Sequence, residues 1–358
     1  MPLALIADRA GHAVLKTYDE PSLPPDQIRV RSLFSAVKHG TEGRGFMHNT
    51  LDASDRWDGQ LRLHRRGEPL SDVYPKPLGN MCVGIVTEIG CQIRDLQVGD
   101  RVMGHLPIRE THTLTTSKVR PVPENVSPQA LMYWDPADFA LGGIRDGGVR
   151  PGDRVAVFGL GAIGQMVAQI ARIAGARWIA AIDLIEKRRE AAARHGADII
   201  LDPSNCDAGL EIKLRTEHLG VDVTIETSGA SAALNDALRA TKYNGTVVST
   251  AYYAGAMDRL FLSGEWHRNR INIISSRANS DPQADYGWDF KRIQKESLQL
   301  IVEGRIQADD LIDPIVPITQ AADAYHAIFE HPERSIKLGI DHYDIIKQGN
   351  TFSYSCSA

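Results

Sequence analysis

The chain has 358 residues, 43% of them hydrophobic and 24% charged, and a formal net charge of −5. That length exceeds one ordinary core and predicts two domains, or one domain interrupted by another. The mildly acidic balance, with no long basic run, argues against a nucleic-acid or membrane-surface partner.

The opening MPLALIADRAGHAV meets Asp8 and Arg9 too early for a signal-peptide core, and no apolar run approaches the roughly 20 residues that span a bilayer. Ile28 to Val37, IRVRSLFSAV, alternates apolar and polar residues as a half-buried strand does. It runs into SAVKHGTEGRG, where Lys38, His39, Thr41 and Glu42 crowd a glycine-punctuated stretch. That stretch reads either as a solvated turn or as the working end of an active site. Residues 48–77 are polar and show neither helical nor strand periodicity, and a loop that long is expected to bind something or to lack order. VGIVTEIG and VGDRVMG are further strand-and-turn pieces. Cys82, Cys91, Cys206 and Cys356 have no metal-type spacing, and a chain this large needs no disulfide staples, so a reducing cytoplasm is expected.

After Asp135 the character changes. RVAVFGL, WIAAID, VDVTIETSG and GTVVST are short apolar runs alternating with helical stretches such as IGQMVAQIARIAG and EKRREAAARHG. This alternation predicts an α/β fold with a parallel sheet covered on both faces. FKRIQKESLQLIVEGRI, Phe290 to Ile306, reads as one amphipathic helix, followed by short β-like pieces and a polar tail from Gly349 that need not be ordered.

VAVFGLGAIGQ places Gly159, Gly161 and Gly164 in GxGxxG spacing between a strand and a helix. The first glycine allows the tight turn, the second a close approach of pyrophosphate, the third close packing of helix on strand. Ala162 and Ile163 open the helix, whose N-terminus favours phosphate charge. Asp183 follows 22 residues after Gly161, at the end of the next strand. A carboxylate there accepts from an adenosine ribose and repels a 2′-phosphate, which favours NAD over NADP. Lys187 and Arg188 are the residues that could instead hold a 2′-phosphate. Thr227, Ser228 and Gly229 end the following core strand, on the rim where ligands bind open parallel sheets.

From IRVRSLFSAV through GDRV, VFGLGAIGQ and GADIILD to PITQAADAYHAI, the chain resembles the medium-chain dehydrogenase/reductase superfamily, the alcohol and sorbitol dehydrogenase group. The resemblance implies a GroES-like β domain, residues 1–138 and 281–358, with a Rossmann NAD-binding domain, 139–280, inserted. Substrate is then expected between the two. Zinc members carry a cysteine, a GHE histidine and a third cysteine or glutamate as ligands; the matching positions here hold Lys38, Asn80 and Asp135. The four-cysteine structural zinc lobe is missing after GDRV. An ammonium cannot ligate, an amide oxygen is a poor zinc ligand and one carboxylate cannot hold the ion. A zinc-free branch is the expectation, with recruitment of a metal by His39, His48 and His64 as the alternative.

Lys38 is then expected to face Asp135. It either fills a lost metal position as a salt bridge or takes over the metal's work as electrophile and proton relay. His39 and Thr41 are the candidates for carrying the proton to solvent, although Lys38 stands one residue further from Thr41 than the family spacing. The alternative for His39 is a surface histidine. Asn49, Asp52, Asp55, Arg56, Trp57, Asp58, Gln60, Arg62, His64 and Arg65 suit a polyhydroxylated ring, and Arg277, Asn279 and Trp288 form a second polar cluster. The substrate contacts expected are Glu42, Arg56, Trp57 and Arg277; a solvated loop or subunit contact is the other reading of the 48–77 loop. The function expected is NAD-dependent oxidation of a secondary hydroxyl of a sugar, cyclitol or polyol by a homodimer or homotetramer. The alternatives are an NADPH-dependent quinone or enoyl reductase, and a non-catalytic NAD(H)-binding pseudoenzyme.

Overall fold

This computed structural model describes residues 1–47, 55–67, 73–253, 257–277, 279–283 and 287–343. Its first strands are β1 (Leu3–Arg9), β2 (His12–Thr17) and β3 (Ile28–Ala36), followed by helix α1 (His39–Met47). Next come β4 (Asp55–Asp58), β5 (Leu63–Arg66), β6 (Lys76–Pro77), β7 (Met81–Ile89), β8 (Arg101–Gly104), β9 (Thr111–Leu114) and β10 (Arg120–Pro121). Helices α2 (Pro128–Leu131) and α3 (Trp134–Asp146) lead into β11 (Arg154–Phe158), α4 (Ala162–Ile173), β12 (Trp178–Ile182), α5 (Glu186–Arg194) and β13 (Ile199–Leu201). There follow α6 (Ala208–Arg215), β14 (Val221–Glu226), α7 (Ser231–Ala240), β15 (Thr241–Ser249) and β16 (Asn272–Ser275). The last elements are α8 (Phe290–Val302), β17 (Ile315–Pro317), α9 (Ala321–Glu330) and β18 (Gly339–Asp341).

Internal contacts divide the chain into two compact units: Met1–His48 with Val73–Met132 and Ile312–Ala358, and Asn49–Asp72 with Tyr133–Leu311. The first unit is the GroES-like β part, built from both ends of the chain. Its main sheet runs β10-β8-β7-β3-β18-β17, with β9 also on β3, beside a smaller sheet β2-β1-β6. β3 alternates burial in its first half and is buried throughout its last five residues, which explains why only the start of IRVRSLFSAV shows a strand period. Leu5, Val37, Phe46, Leu78, Ile108, Tyr325, Leu338 and Ile340 share one core, and Phe46 meets Tyr325 edge-on at 5.0 Å between ring centroids.

The second unit carries a six-stranded parallel sheet in the order β13-β12-β11-β14-β15-β16. β11, β12 and β14 are almost wholly buried, the expected state of strands with helices on both faces. The strand order reverses between β11 and β14, so the crevice at their C-terminal ends is the position where open α/β sheets bind ligands.

Two expectations need correction. Residues 48–77 contain an antiparallel hairpin, with β4 pairing β5 from Asp55↔Arg66 to Asp58↔Leu63. Asp58 Oδ1 accepts from the N–H groups of Gln60 and Leu61 and Oδ2 from Arg65 Nε, which fixes the turn. The pair carries no apolar alternation because Trp57, Leu61 and Leu63 are all exposed. The helix from Phe290 stops at Val302 rather than Ile306: Gly304, at φ +68°, bends the chain, and the Arg305 N–H returns to the Leu300 carbonyl. His48, Asn49, Asp52 and the tail from Gly349 lie outside the described residues.

Candidate functional site

In the second unit the turn after β11 is shaped by its three glycines. Gly159 sits at φ +86°, and a Cβ there would lie 2.8 Å from the Ser228 backbone nitrogen. A Cβ on Gly164 would lie 1.9 Å from the Gly159 carbonyl oxygen, so helix and strand close only on glycine. Gly161 differs: nothing lies within 4 Å of its Cβ position. It is the N-cap of α4, whose first residues are Ala162 and Ile163, and no side chain caps the helix there. An uncapped helix N-terminus with its polarity, and the open approach at Gly161, fit a dinucleotide pyrophosphate.

Asp183, just past β12, is partly buried. Its Oδ2 accepts from the Leu160 N–H at 2.6 Å and its Oδ1 from the Ile185 N–H at 2.8 Å. The carboxylate thus braces the glycine turn while each oxygen keeps a lone pair for a further donor. Burial presses the Arg188 guanidinium pKa down, and the Asp183 charge opposes that shift. Thr227 Oγ1 donates to the Gly159 carbonyl at 2.7 Å, and the Thr227 N–H to the Phe158 carbonyl at 2.8 Å. Ser228 Oγ donates to Glu226. Asp135, in the first turn of α3, is 4% exposed. Arg277 is exposed beside a small cavity shared with Asp138, Asp146 and Asn279. The guanidinium groups of Arg145 and Arg292 stack on the Trp288 ring, 3.6 and 4.1 Å from its centroid. Arg56 and Trp57 are exposed on β4, with Trp57 edge-on to His64 at 5.1 Å.

In the first unit Lys38 links β3 to α1. Its N–H donates to Glu42 Oε1 at 2.7 Å, while Oε2 accepts from the Gly79 N–H at 2.7 Å and the Tyr325 hydroxyl at 3.0 Å. Burial pushes the Glu42 pKa up, and these donors oppose it. The Glu42 carboxylate, expected on the substrate, is therefore engaged by the protein itself. His39 is no surface histidine: it is partly buried, its Nε2 accepts the Leu338 N–H at 2.9 Å, and its ring lies 6.5 Å from that of Phe329. Asn80 Oδ1 accepts from His105 Nδ1 at 3.0 Å. Thr41 lies on α1, and its side chain falls outside the description.

Sequence reasoning passed over three groups. Lys337 is 1% exposed and donates to the Val37 carbonyl at 2.8 Å; Tyr325 is 0% exposed against Glu42; Glu226 is 0% exposed at the end of β14. Only Glu226 left a trace, as a charged residue closing an apolar run. Among the described residues no group of three or more His, Cys, Asp or Glu side chains gathers so as to hold a metal ion, and no helix is long and apolar enough to cross a membrane.

Comparison with known proteins decides the family. The chain is 38% identical to the D-guloside 3-dehydrogenase of Escherichia coli (strain K12), over 94% of this chain and 99% of the relative. It belongs to the medium-chain dehydrogenase/reductase superfamily. The family described as zinc-binding dehydrogenase matches residues 162–295 of this superfamily member. The (R,R)-butanediol dehydrogenase of Bacillus subtilis (strain 168) is 29% identical over 68% of this chain and 74% of its own. A crystal structure of 2R,3R-butanediol dehydrogenase from Bacillus subtilis shares the fold, with a TM-score of 0.75 over 95% of this chain and 99% of that chain at 21% identity.

Proposed function

We propose that this protein is an NAD-dependent dehydrogenase that oxidises a secondary hydroxyl of a sugar, cyclitol or similar polyol without zinc. The observation that carries the reading is the nearly full-length likeness to D-guloside 3-dehydrogenase. The glycine turn and the N-terminus of α4 would hold the pyrophosphate, and Asp183 the adenosine ribose. The Asp183 carboxylate, which would repel a 2′-phosphate, supports NAD over its 2′-phosphorylated form. A nicotinamide bound there would supply the hydride acceptor for the substrate carbon.

Lys38 is assigned the place of the metal. Its ammonium first gives a proton to the relay; the amine left behind takes the substrate hydroxyl proton as the hydride departs, and the ammonium so restored stabilises the alkoxide charge that develops. Since His39 Nε2 is held by the Leu338 N–H, a relay through His39 uses Nδ1, with Thr41 as the hydroxyl partner. Asp135 is assigned to the catalytic set by its buried carboxylate, and Asn80 to donate a hydrogen bond to the substrate. Glu42 fixes the Lys38 backbone instead of meeting substrate. Arg56, Trp57 and Arg277 are assigned to the hydroxyls and C–H face of the polyol, in a cytoplasmic homodimer or homotetramer. The donor chemistry at 38, 80 and 135 supports the zinc-free reading: one group only donates, one is a weak ligand, and one carboxylate does not hold zinc alone.

The test is NADH production by the chelator-treated protein across D-gulosides, other sugars, cyclitols and simple alcohols, with NAD and NADP in parallel. Turnover of polyhydroxylated rings with NAD is expected. Activity confined to quinones or enoyl substrates with NADPH would overturn the reading.

A further inference from the structure

Glu226 ends an apolar strand whose other residues pack into the sheet, yet its carboxyl is fully buried. Oε1 accepts from the Ser228 N–H at 2.6 Å and from the Ser228 hydroxyl. Oε2 accepts from the Tyr253 hydroxyl, and the Gly229 N–H reaches both oxygens at 3.2 Å. The Glu226 carbonyl accepts from the Thr250 N–H and hydroxyl, at 2.9 and 3.1 Å. One side chain therefore ties the segment after β14 to the segment after β15.

The segment so held, Thr227 to Gly229, is the one the glycine turn leans against. Thr227 holds the Phe158 and Gly159 carbonyls, and Gly159 packs so closely on Ser228 that no methyl group fits between them. Gly229 itself needs φ +75°, where a Cβ would lie 2.8 Å from the Tyr252 carbonyl oxygen. A shift of Ser228 is thereby a shift of the turn.

We propose that Glu226 is a positioning residue for dinucleotide binding: its carboxylate holds Ser228, Gly229 and Tyr253 in the arrangement that fixes the wall of the glycine turn. The assignment rests on the dinucleotide reading and deepens it. An ionised carboxylate accepts from all these donors at once, whereas a protonated one carries a hydrogen of its own and must turn a donor away. Burial raises the Glu226 pKa, and Ser228, Tyr253 and the backbone N–H groups oppose the rise. Around it, β11 brings Phe158 and β15 brings Ser249 as pairing partners. α7 packs on β14, and its charged residues Asp236 and Arg239 meet each other at 3.5 Å, with Arg239 also on Asp207 at 2.6 Å.

The experiment measures NADH affinity by fluorescence titration, with thermal melts alongside, for the parent, Glu226→Gln and Tyr253→Phe. Losing one charge-assisted acceptor corresponds to weaker NADH binding by about tenfold in Glu226→Gln at neutral pH, and by about threefold in Tyr253→Phe. The gap between parent and Glu226→Gln should close as the pH falls, because the parent then loses the same charge. A folded Glu226→Gln protein with parental affinity, or with a deficit that is constant over pH, would overturn the assignment. Should that variant fail to fold, Tyr253→Phe decides, and unchanged affinity overturns it. A parent protein that binds neither NADH nor NAD would defeat the dinucleotide reading itself, and this assignment with it.

Discussion

Lys38 and Glu42 hold each other's backbone in both directions: the Lys38 N–H donates to Glu42 Oε1 at 2.7 Å, and the Glu42 N–H donates to the Lys38 carbonyl at 2.9 Å. A carboxylate in the first turn also suits the positive end of α1. The Lys38 main chain is thus set independently of its side chain. Lys38→Met is therefore expected to fold and bind NADH while kcat falls by about 10²–10⁴-fold, the range for a positioned acid–base group. Lys38→Arg should not restore the rate, because guanidinium keeps its proton and presents a different donor geometry. Steady-state kinetics after chelation checks both. An unaltered kcat in Lys38→Met, or one activity-linked zinc per chain by elemental analysis, would end the proposed mechanism.

Cofactor choice is expected to rest on Asp183. In Asp183→Ser the repulsion of a 2′-phosphate disappears, and the NAD-to-NADP preference should drop by about tenfold, the effect of one charge in a partly exposed site. Because Asp183 also accepts from Leu160 and Ile185, NAD affinity should fall too. The ratio of the two Kd values is the readout. A parent protein that binds NADP as tightly as NAD contradicts the assignment.

Arg56 and Trp57 project from an exposed hairpin, so truncating them should leave the melting temperature within a degree or two. Arg56→Ala and Trp57→Ala are expected to raise KM for the best polyol by about tenfold with little change in kcat, the signature of lost uniform binding. Parental KM values in both would return the hairpin to a solvated or subunit-contact role.

Two buried histidines make the first unit acid-sensitive. His112 and His342 are 4% and 2% exposed, and burial holds both pKa values down at about 3. Unfolded histidine titrates near 6.5, so below that pH the unfolded chain takes up protons that the folded chain refuses. Stability is full above about pH 6.5 and drains as the pH falls toward 3, by on the order of 2 kcal/mol per histidine at pH 5. Urea unfolding at pH 8 and pH 5 should show that loss, and His342→Asn should reduce it. Equal loss in parent and variant would assign the sensitivity elsewhere.

The α/β unit was legible because its signals are local: continuous apolar strands, glycines at fixed offsets, a carboxylate at the next strand's end. Lys38, Asn80 and Asp135 stood out only against a family pattern. What stayed hidden depends on partners far along the chain. Glu42 read as a polar loop residue, yet the Tyr325 hydroxyl that donates to it is 283 positions away. Lys337 gave no sign that it would be buried against Val37, 300 positions back. The β4–β5 hairpin escaped because two exposed faces leave no hydrophobic period to read.

β18 completes the sheet on the flank of β3, and beyond it Ser35 meets His342 across 307 positions. During synthesis, then, β3 leaves the ribosome early; β7 and β9 can pair it soon after, but the Phe34–Ala36 part of one flank stays unpaired until almost the whole chain has emerged. Its LFSA segment, buried in the finished sheet, is for that interval an apolar edge able to recruit another nascent strand. The inserted α/β unit owes none of its sheet to the C-terminus, so it can settle while the β unit waits. A message truncated just before Gly339 would yield a product with a sound nucleotide-fold middle and a sticky, incomplete β sheet, a natural client for chaperones and proteases.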